Sequence, residues 1–70
     1  MKGYNMKNKI SELRKSSNMS QQDLASLTGV SRQTITSLEI GKYNPSIILA
    51  YRIATVFHCE IENIFIYEGE

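Results

Sequence analysis

Apolar residues recur three or four positions apart in several short stretches of the chain, and glycine, proline, serine or asparagine interrupts each stretch. This spacing is typical of amphipathic α-helices, because it places the apolar side chains on one face. The stretch from Ile47 to Phe57 is apolar on its other sides as well, which indicates a second surface to bury. Its expected core face consists of Ile47, Ala50, Ile53, Ala54 and Phe57. The pattern predicts five helices, over residues 7–17, 20–29, 31–41, 47–57 and 60–65.

The second predicted helix carries recognisable signals at both ends. Ser20 is a favourable N-cap, and Asp23 three residues later approximates a capping box and suits the positive end of the helix. Gly29 ends the helix, because glycine adopts a left-handed conformation at little cost. The expected buried stripe consists of Leu24, Ala25 and Leu27.

The third predicted helix begins only two residues after that glycine. Ser31 is its N-cap, Ile35 and Leu38 are expected to face inward, and Gly41 stops it. Two helices of about two turns each, joined by a tight glycine turn, form an αα unit typical of the helix-turn-helix motif. The sequence therefore predicts such a motif over residues 20–41.

The side of the third helix opposite its apolar residues is polar. It consists of Arg32, Gln33, Thr36 and Ser37. Arginine pairs with both guanine acceptors in the major groove of DNA and glutamine pairs with adenine, so Arg32 and Gln33 are the best candidates for reading bases. Ser37 lies one turn beyond Gln33, where it suits contact with a base edge or a methyl group.

The last predicted helix, over 60–65, has Ile61, Ile64 and Phe65 facing inward. Alternatively, residues 65–67 form a short β-strand that pairs with residues around 4–8. Both interpretations remain open from the sequence.

The size of the chain bounds what it can contain. Seventy residues form one domain, expected over 1–70, and approach the lower limit for a self-sufficient core. A single cysteine, Cys59, has no partner for an internal disulfide, and a single histidine, His58, leaves a monomer far short of a zinc site. We therefore expect no metal and no cofactor, with self-association as the supplement to the core. A dimer would bring two of each together as a metal or redox switch, but a packed thiol beside a surface imidazole is the simpler interpretation.

The expected location of the protein and the distribution of charge along its chain limit the kinds of molecule that it can bind. No apolar run approaches the ~20 residues that cross a bilayer, and the N-terminus lacks the apolar segment of a signal peptide, so we expect a cytoplasmic protein without membrane contact. Residues 1–59 hold all eight Lys and Arg but only three of the seven acids. A basic body with an acidic tail is expected if one face meets phosphate and the other points away, and ordinary charge scatter is the alternative interpretation.

The residues from Ser20 to Lys42 resemble the Cro/C1-type (Xre) helix-turn-helix family. The resemblance rests on the small Ala25, the glycine turn, the polar start of the third helix and the segment Leu-Glu-Ile-Gly-Lys at 38–42. The segments Tyr-Asn-Pro-Ser at 43–46 and Ile-Glu-Asn-Ile-Phe at 61–65 extend it over roughly residues 7–66. It implies an all-α, five-helix domain whose third helix enters the major groove of double-stranded DNA.

The resemblance also implies which residues meet the DNA backbone. In the family, the residue matching Gln21 contacts a phosphate, and the loop after the recognition helix runs along the backbone. The expected phosphate contacts are Gln21, Ser31, Thr34, Lys42, Tyr43 and Asn44. One position departs from the pattern: Ile40 stands where the family often has a polar residue, so it either loses a phosphate contact or packs against something.

Two charged residues are assigned to the scaffold by the same resemblance. Family members often pair the arginine matching Arg14 with the glutamate matching Glu39 in a largely buried ion pair. We therefore expect Arg14 and Glu39 to tie the first helix to the recognition helix and not to contact DNA.

The family's two-fold mode of binding, together with the surplus apolar surface near the C-terminus, predicts a homodimer. We place the dimerisation region at 47–70. Its expected interface residues are Ile48, Leu49, Tyr51, Val56, Ile66 and Tyr67.

Two classes of function compete for this fold. The first is a sequence-specific transcriptional regulator that binds a palindromic operator, with repression as the default outcome and activation left open. The second is a protein-interaction module, such as an antitoxin-like partner binder, because fold alone does not decide function. An enzyme is not expected, since the sequence contains no nucleophile–base pair, acidic dyad or phosphate loop. No small-molecule ligand is evident either.

Overall fold

The computed structural model describes residues 6–67, and the five predicted helices are all present. The elements in chain order are β1 (Met6–Asn8), α1 (Ile10–Ser16), α2 (Gln21–Thr28), α3 (Arg32–Glu39), α4 (Ile47–Phe57), α5 (Ile61–Ile64) and β2 (Phe65–Tyr67). Among these residues no helix is long and apolar enough to span a bilayer. Nor does any group of three or more His, Cys, Asp or Glu in 6–67 offer a metal site.

The two ends of the described chain pair as an antiparallel ribbon, which confirms the strand interpretation of 65–67. Asn8 lies opposite Phe65, and the neighbouring backbone N–H of Lys9 donates to the Ile64 carbonyl at 2.9 Å. Residues 4 and 5 of the predicted partner segment lie outside the described residues. A ribbon this short is not stable alone, so it depends on the core, in which Phe65 is buried.

Side chains from all five helices meet in one core. The fully buried large residues are Ile10, Leu24, Thr28, Ile35, Leu38, Ile53 and Ile64. Because every helix contributes to the same cluster, the orientation of α3 is set by the rest of the domain.

The helix ends form as their sequences predict. The Ser20 hydroxyl accepts from the Asp23 N–H at 2.9 Å, and the Asp23 carboxylate accepts from the Ser20 N–H at 3.0 Å, which completes the capping box. Gly29 has φ +77°, the left-handed conformation that ends α2. The Ser31 hydroxyl accepts from the Thr34 N–H at 3.2 Å and so caps α3.

One residue predicted to be buried on α2 is exposed. Leu27 is 62% exposed, while Thr28 is buried beside Leu24 and Ala25. The Thr28 hydroxyl donates to the Leu24 carbonyl at 2.8 Å, which satisfies the hydroxyl inside the core. The spacing of apolar residues did not predict the burial of Thr28, because it takes no account of a hydroxyl that bonds within its own helix.

The buried face of α4 is rotated relative to the prediction. Leu49, expected at a dimer interface, is 6% exposed and belongs to the core, whereas Ile47, expected in the core, is 70% exposed. Ala50, Ile53 and Ala54 are buried as predicted. A helix that is apolar on several sides fits two overlapping stripes, and packing against α2 and α5 selects between them.

Because of this rotation, substitutions at two neighbouring positions should differ strongly in their effect on the free energy of unfolding. Leu49→Ala should reduce the free energy of unfolding by about 2–5 kcal/mol, because it leaves a cavity in the core. Ile48→Ala, one position away and 62% exposed, should change it by about 0.5 kcal/mol or less. Urea unfolding of dilute protein measures both, and a loss at Ile48 as large as that at Leu49 would show that the rotated face is wrong.

Candidate nucleic-acid interface

The corner between α2 and α3 is contacted by a side chain from α4. The Arg52 guanidinium of α4 donates through Nη1 to the Thr28 carbonyl at 3.1 Å, at the last residue of α2. This places a cation at the negative end of that helix. A Cβ added at Gly29 would lie 3.4 Å from the same Nη1 atom, an ordinary contact, so glycine is favoured there by its φ of +77° and not by lack of space.

The outer face of α3 is polar and accessible. Ile35 and Leu38 are buried as predicted, which directs the opposite side of the helix outward. Arg32 and Gln33 are exposed, and Thr36 and Ser37 are half-buried. The four predicted base readers therefore occupy one helix, but they differ in how freely they can reach a ligand.

A concave surface joins α3 to the loop that follows it. It is lined by Ser31, Gln33, Thr34, Ser37, Lys42 and Tyr43. These six residues were all predicted to meet DNA, two as base readers and four as phosphate contacts. Asn44, a further predicted phosphate contact, is exposed in the same loop. The concavity thus combines hydrogen-bonding groups of a helix with a cation on its rim.

The hydroxyl groups at the start of α3 also form hydrogen bonds within that helix end. Ser31 Oγ caps the helix, and it lies 3.0 Å from Thr34 Oγ1, with which it shares a hydrogen bond. Each hydroxyl both donates and accepts. Their mutual hydrogen bond uses only one of the two protons, so the other proton is available to a phosphate oxygen. Their contact with phosphate stays a prediction.

Gln21 has a larger network than the sequence indicated. Its side-chain Nε2 donates to Glu39 Oε1 at 3.1 Å, and its Oε1 accepts from Thr36 Oγ1 at 3.1 Å and from Arg32 Nε at 3.4 Å. Neither periodicity nor capping rules relate residues that lie eleven to eighteen positions apart. The predicted phosphate contact of Gln21 remains a prediction, and its amide already bonds within the protein at both ends.

The ion pair between Arg14 and Glu39 is present and buried, as the family resemblance implied. Arg14 Nε donates to Glu39 Oε2 at 2.8 Å and an Nη2 donor reaches Oε1 at 3.2 Å, while the two side chains are only 10% and 8% exposed. Arg14 Nη1 also donates to the Met19 carbonyl at 2.9 Å. Three parts of the chain therefore converge on one guanidinium: α1, the turn before α2 and the end of α3.

The environment of this pair shifts both ionisation equilibria towards the charged forms. Burial opposes the charged Glu39 carboxylate, but hydrogen bonds from Arg14 and Gln21 and the nearby positive charge hold its pKa below the usual range. The hydrogen bond to Glu39 likewise raises the pKa of Arg14. Both groups are charged in the folded protein at neutral pH.

Three residues with open interpretations now have definite surroundings. Ile40 is 63% exposed and so does not pack into the core. Cys59 is half-buried against the core, and its thiol donates to the Phe57 carbonyl at 3.3 Å. His58 is exposed and ends α4 with φ +55°. This arrangement fits the packed thiol and surface imidazole.

The residues predicted for a dimer interface do not all reach the surface. Ile48 and Tyr51 are each 62% exposed, whereas Val56 and Ile66 are half-buried and Leu49 is in the core. The backbone of Tyr67 belongs to β2, and its side chain lies outside the described residues. Ile47 was missed, and together with Ile48 and Tyr51 it forms an exposed apolar surface at the start of α4, which we call the α4 patch.

Comparison with known proteins places the chain in a family. A family model described as helix-turn-helix matches residues 10–64. An HTH-type transcriptional regulator from Archaeoglobus fulgidus is 54% identical over 65 residues, which cover 93% of this chain and 92% of the relative. The HTH-type regulator YgzD from Bacillus subtilis is 43% identical over 65 residues, covering 93% and 98% of the two chains.

Solved structures agree with this placement. The restriction-modification controller protein C.AhdI from Aeromonas hydrophila has a TM-score of 0.73 at 31% identity, over 79% of this chain and 83% of that one. The transcriptional regulator VanUg has a TM-score of 0.78 over 100% and 93% of the two chains, and at 24% identity this shows a common fold. The chain belongs to the helix-turn-helix family, of the Cro/C1 type. It is a DNA-binding transcriptional regulator and not an enzyme.

The buried ion pair makes the stability of the domain sensitive to acid. Because the folded pKa of Glu39 is lowered, its stabilising contribution is complete above the unfolded value of about 4.3 and is lost as pH falls through the folded value. Glu39→Gln should cost about 3–5 kcal/mol at neutral pH, since it leaves Arg14 buried without its counter-ion. It should also remove the part of the decline in stability that Glu39 contributes as pH falls below about 4.3.

Thermal unfolding across this pH range measures the effect, with the exposed Glu62→Gln as the control that should follow the parent curve. A Glu39→Gln profile parallel to that of the parent would contradict the linkage.

Proposed function

We propose that this regulator is a sequence-specific repressor that binds a palindromic operator as a homodimer, with α3 of each protomer in the major groove. The observation that carries the proposal is the polar outer face of α3 beside the concave surface that includes Lys42. A helix held by its apolar side and polar on its outer side has the geometry that groove reading requires.

The base-reading roles follow from side-chain chemistry. The Arg32 guanidinium suits the two acceptors of guanine, and the Gln33 amide suits adenine. Thr36 and Ser37 are less exposed and supply shorter contacts, to a base edge or to the methyl group of thymine. The pattern is that of direct readout, which distinguishes one sequence from another.

The surrounding residues would hold the protein in register on the duplex. Lys42 supplies a point charge for phosphate, and the Tyr43 hydroxyl and Asn44 amide lie in the same exposed loop. Ser31 and Thr34 supply hydroxyl groups at the positive end of α3, where anions are favoured. Gln21, at the start of α2, completes the proposed phosphate set.

The α4 patch supports self-association. Ile47, Ile48 and Tyr51 are exposed within five residues of one helix, and contiguous exposed apolar surface often marks an interaction site. We propose that the patch, with contributions from Val56, Ile66 and Tyr67, joins two copies so that their α3 helices lie about 34 Å apart, in successive major grooves. A dimer bound over a promoter would exclude the polymerase, and we propose that it does so in the cytoplasm.

Substitution of the leading base reader should change specificity and not only affinity. Arg32→Ala should cost about 1–3 kcal/mol and relax the preference at one base pair in each half-site. Lys42→Ala is the matched control: it should weaken binding to all sequences alike and reduce the salt slope by about one per protomer. Selection of bound duplexes from random DNA, followed by titration at several salt concentrations, separates the two. A uniform loss for Arg32→Ala would show that it contacts only phosphate.

A charge placed in the α4 patch should separate the protomers. Ile48→Glu should convert the dimer to a monomer, because a carboxylate would be buried without a partner. Leu27→Glu is a matched control, since Leu27 is also 62% exposed but lies on α2. Sedimentation at micromolar concentration provides the measurement. An Ile48→Glu protein that remains a dimer would place the interface elsewhere.

A further inference from the structure

One asparagine side chain connects the first strand of the domain with the end of α3. Asn8 Nδ2 donates to the Leu38 carbonyl at 2.8 Å, and Asn8 Oδ1 accepts from the Ile10 N–H at 3.2 Å. The second of these bonds is the local turn that asparagine often forms with the backbone two residues further on. The first joins residues 30 positions apart in sequence, so it links β1 directly to α3.

Both partners of this amide are backbone groups, which leaves it only one favourable orientation. The Ile10 N–H requires an acceptor, and the Leu38 carbonyl requires a donor. The reversed amide would put NH₂ against an N–H at one end and oxygen against oxygen at the other. Asn8 is half-buried, and it lies opposite Phe65 in the ribbon, whose side chain is in the core. The position of the donor is therefore set by the fold of the domain.

The Leu38 carbonyl oxygen also takes part in the turn that ends α3. It accepts from the Gly41 N–H at 3.1 Å, and the Lys42 N–H donates to the Ser37 carbonyl at 3.0 Å. With Gly41 at φ +81°, these two bonds form a Schellman motif, which turns the chain at the end of the helix. One carbonyl oxygen thus accepts from β1 and from the turn, with a lone pair for each.

This turn determines where Lys42 lies relative to Ser37. A hydrophobic contact between the residues at these two positions often accompanies a Schellman motif. Here the two residues are polar, and both line the concave surface beside α3. Ser37 is a proposed base reader and Lys42 is a proposed phosphate contact. The turn therefore sets the spacing between the two kinds of contact with DNA.

We propose that Asn8 is a positioning residue for DNA binding, which holds the end of α3 and the turn after it so that Lys42 reaches a phosphate while α3 lies in the groove. Asn8 acts through the Leu38 carbonyl and not by contact with DNA. The inference rests on the proposed function, in which Lys42 contacts phosphate.

Two substitutions remove the donor but keep an acceptor for the Ile10 N–H. Asn8→Ser leaves the net charge unchanged, whereas Asn8→Asp turns a carboxylate oxygen towards the Leu38 carbonyl. Asn63→Ser and Asn63→Asp are the matched controls, because Asn63 is an exposed asparagine on α5. They repeat the same chemical changes at a site away from α3.

The measurement compares these variants in two backgrounds. Asn8→Ser is combined with Lys42→Ala, at the turn, and separately with Arg32→Ala, at the opposite end of α3. Binding to a duplex selected by the parent protein is titrated at several salt concentrations. The temperature is one at which thermal unfolding shows every variant to be folded.

The expected loss depends on Lys42. Asn8→Ser should weaken binding about fivefold and reduce the salt slope by up to about one per protomer, in the same direction as Lys42→Ala. In the Lys42→Ala background it should cost about twofold or less, because the contact that it positions is already absent. In the Arg32→Ala background the loss should remain about fivefold. Asn8→Asp should weaken binding more than Asn63→Asp, and Asn63→Ser should bind as the parent does.

Two results would overturn the inference while leaving the proposed function intact. One is an Asn8→Ser protein that binds as the parent does at every salt concentration. The other is an equal loss in the Lys42→Ala and Arg32→Ala backgrounds, which would show that Asn8 acts on the domain in general and not through the turn. If Lys42→Ala itself changes neither affinity nor salt slope, the proposed phosphate contact fails, and the role of Asn8 fails with it.

Discussion

The buried ion pair between Arg14 and Glu39 is the interaction on which the rest of the structure depends. It joins α1 to the end of α3, and a third hydrogen bond from the same guanidinium reaches the turn before α2. Burial of two charges is costly unless every donor and acceptor finds a partner. The partners found here come from three separate elements, so the pair forms only when the helix-turn-helix corner is correctly assembled. The pair therefore adds to the core packing that orients α3.

That orientation allows a small domain to present a polar surface without losing its core. Ile35 and Leu38 are buried, so the opposite side of α3 is available for hydrogen bonding with no change in packing. The outward residues then divide into two kinds. Arg32 and Thr36 are linked to the scaffold through Gln21, whereas Gln33 and Ser37 line the open concavity.

Local rules account for much of what the sequence predicted correctly. Ser20, Gly29 and Ser31 mark helix ends whose chemistry involves only neighbouring residues, and each forms as expected. The buried pair of Arg14 and Glu39 was predicted from the resemblance to a family, not from the spacing of apolar residues. The short strands were one of two open interpretations, because three-residue segments carry too little pattern to distinguish strand from helix.

The errors have a common physical cause. Leu27 and Leu49 were misplaced because several apolar residues on one helix fit more than one stripe, and only packing against other helices selects the buried one. The hydrogen-bond network of the Gln21 side chain was missed for a related reason. It joins three polar side chains that are distant in sequence, and hydrophobic periodicity contains no information about such contacts.

We propose that the outer face of α3 reads DNA bases while the ion pair between Arg14 and Glu39 joins α1 to the end of that helix. A crystal structure of the protein on a duplex selected by it tests this most directly. We expect α3 in the major groove, with the guanidinium of Arg32 on a guanine. A complex in which α3 lies outside the groove, or in which that face contacts a second copy of the chain, would contradict it.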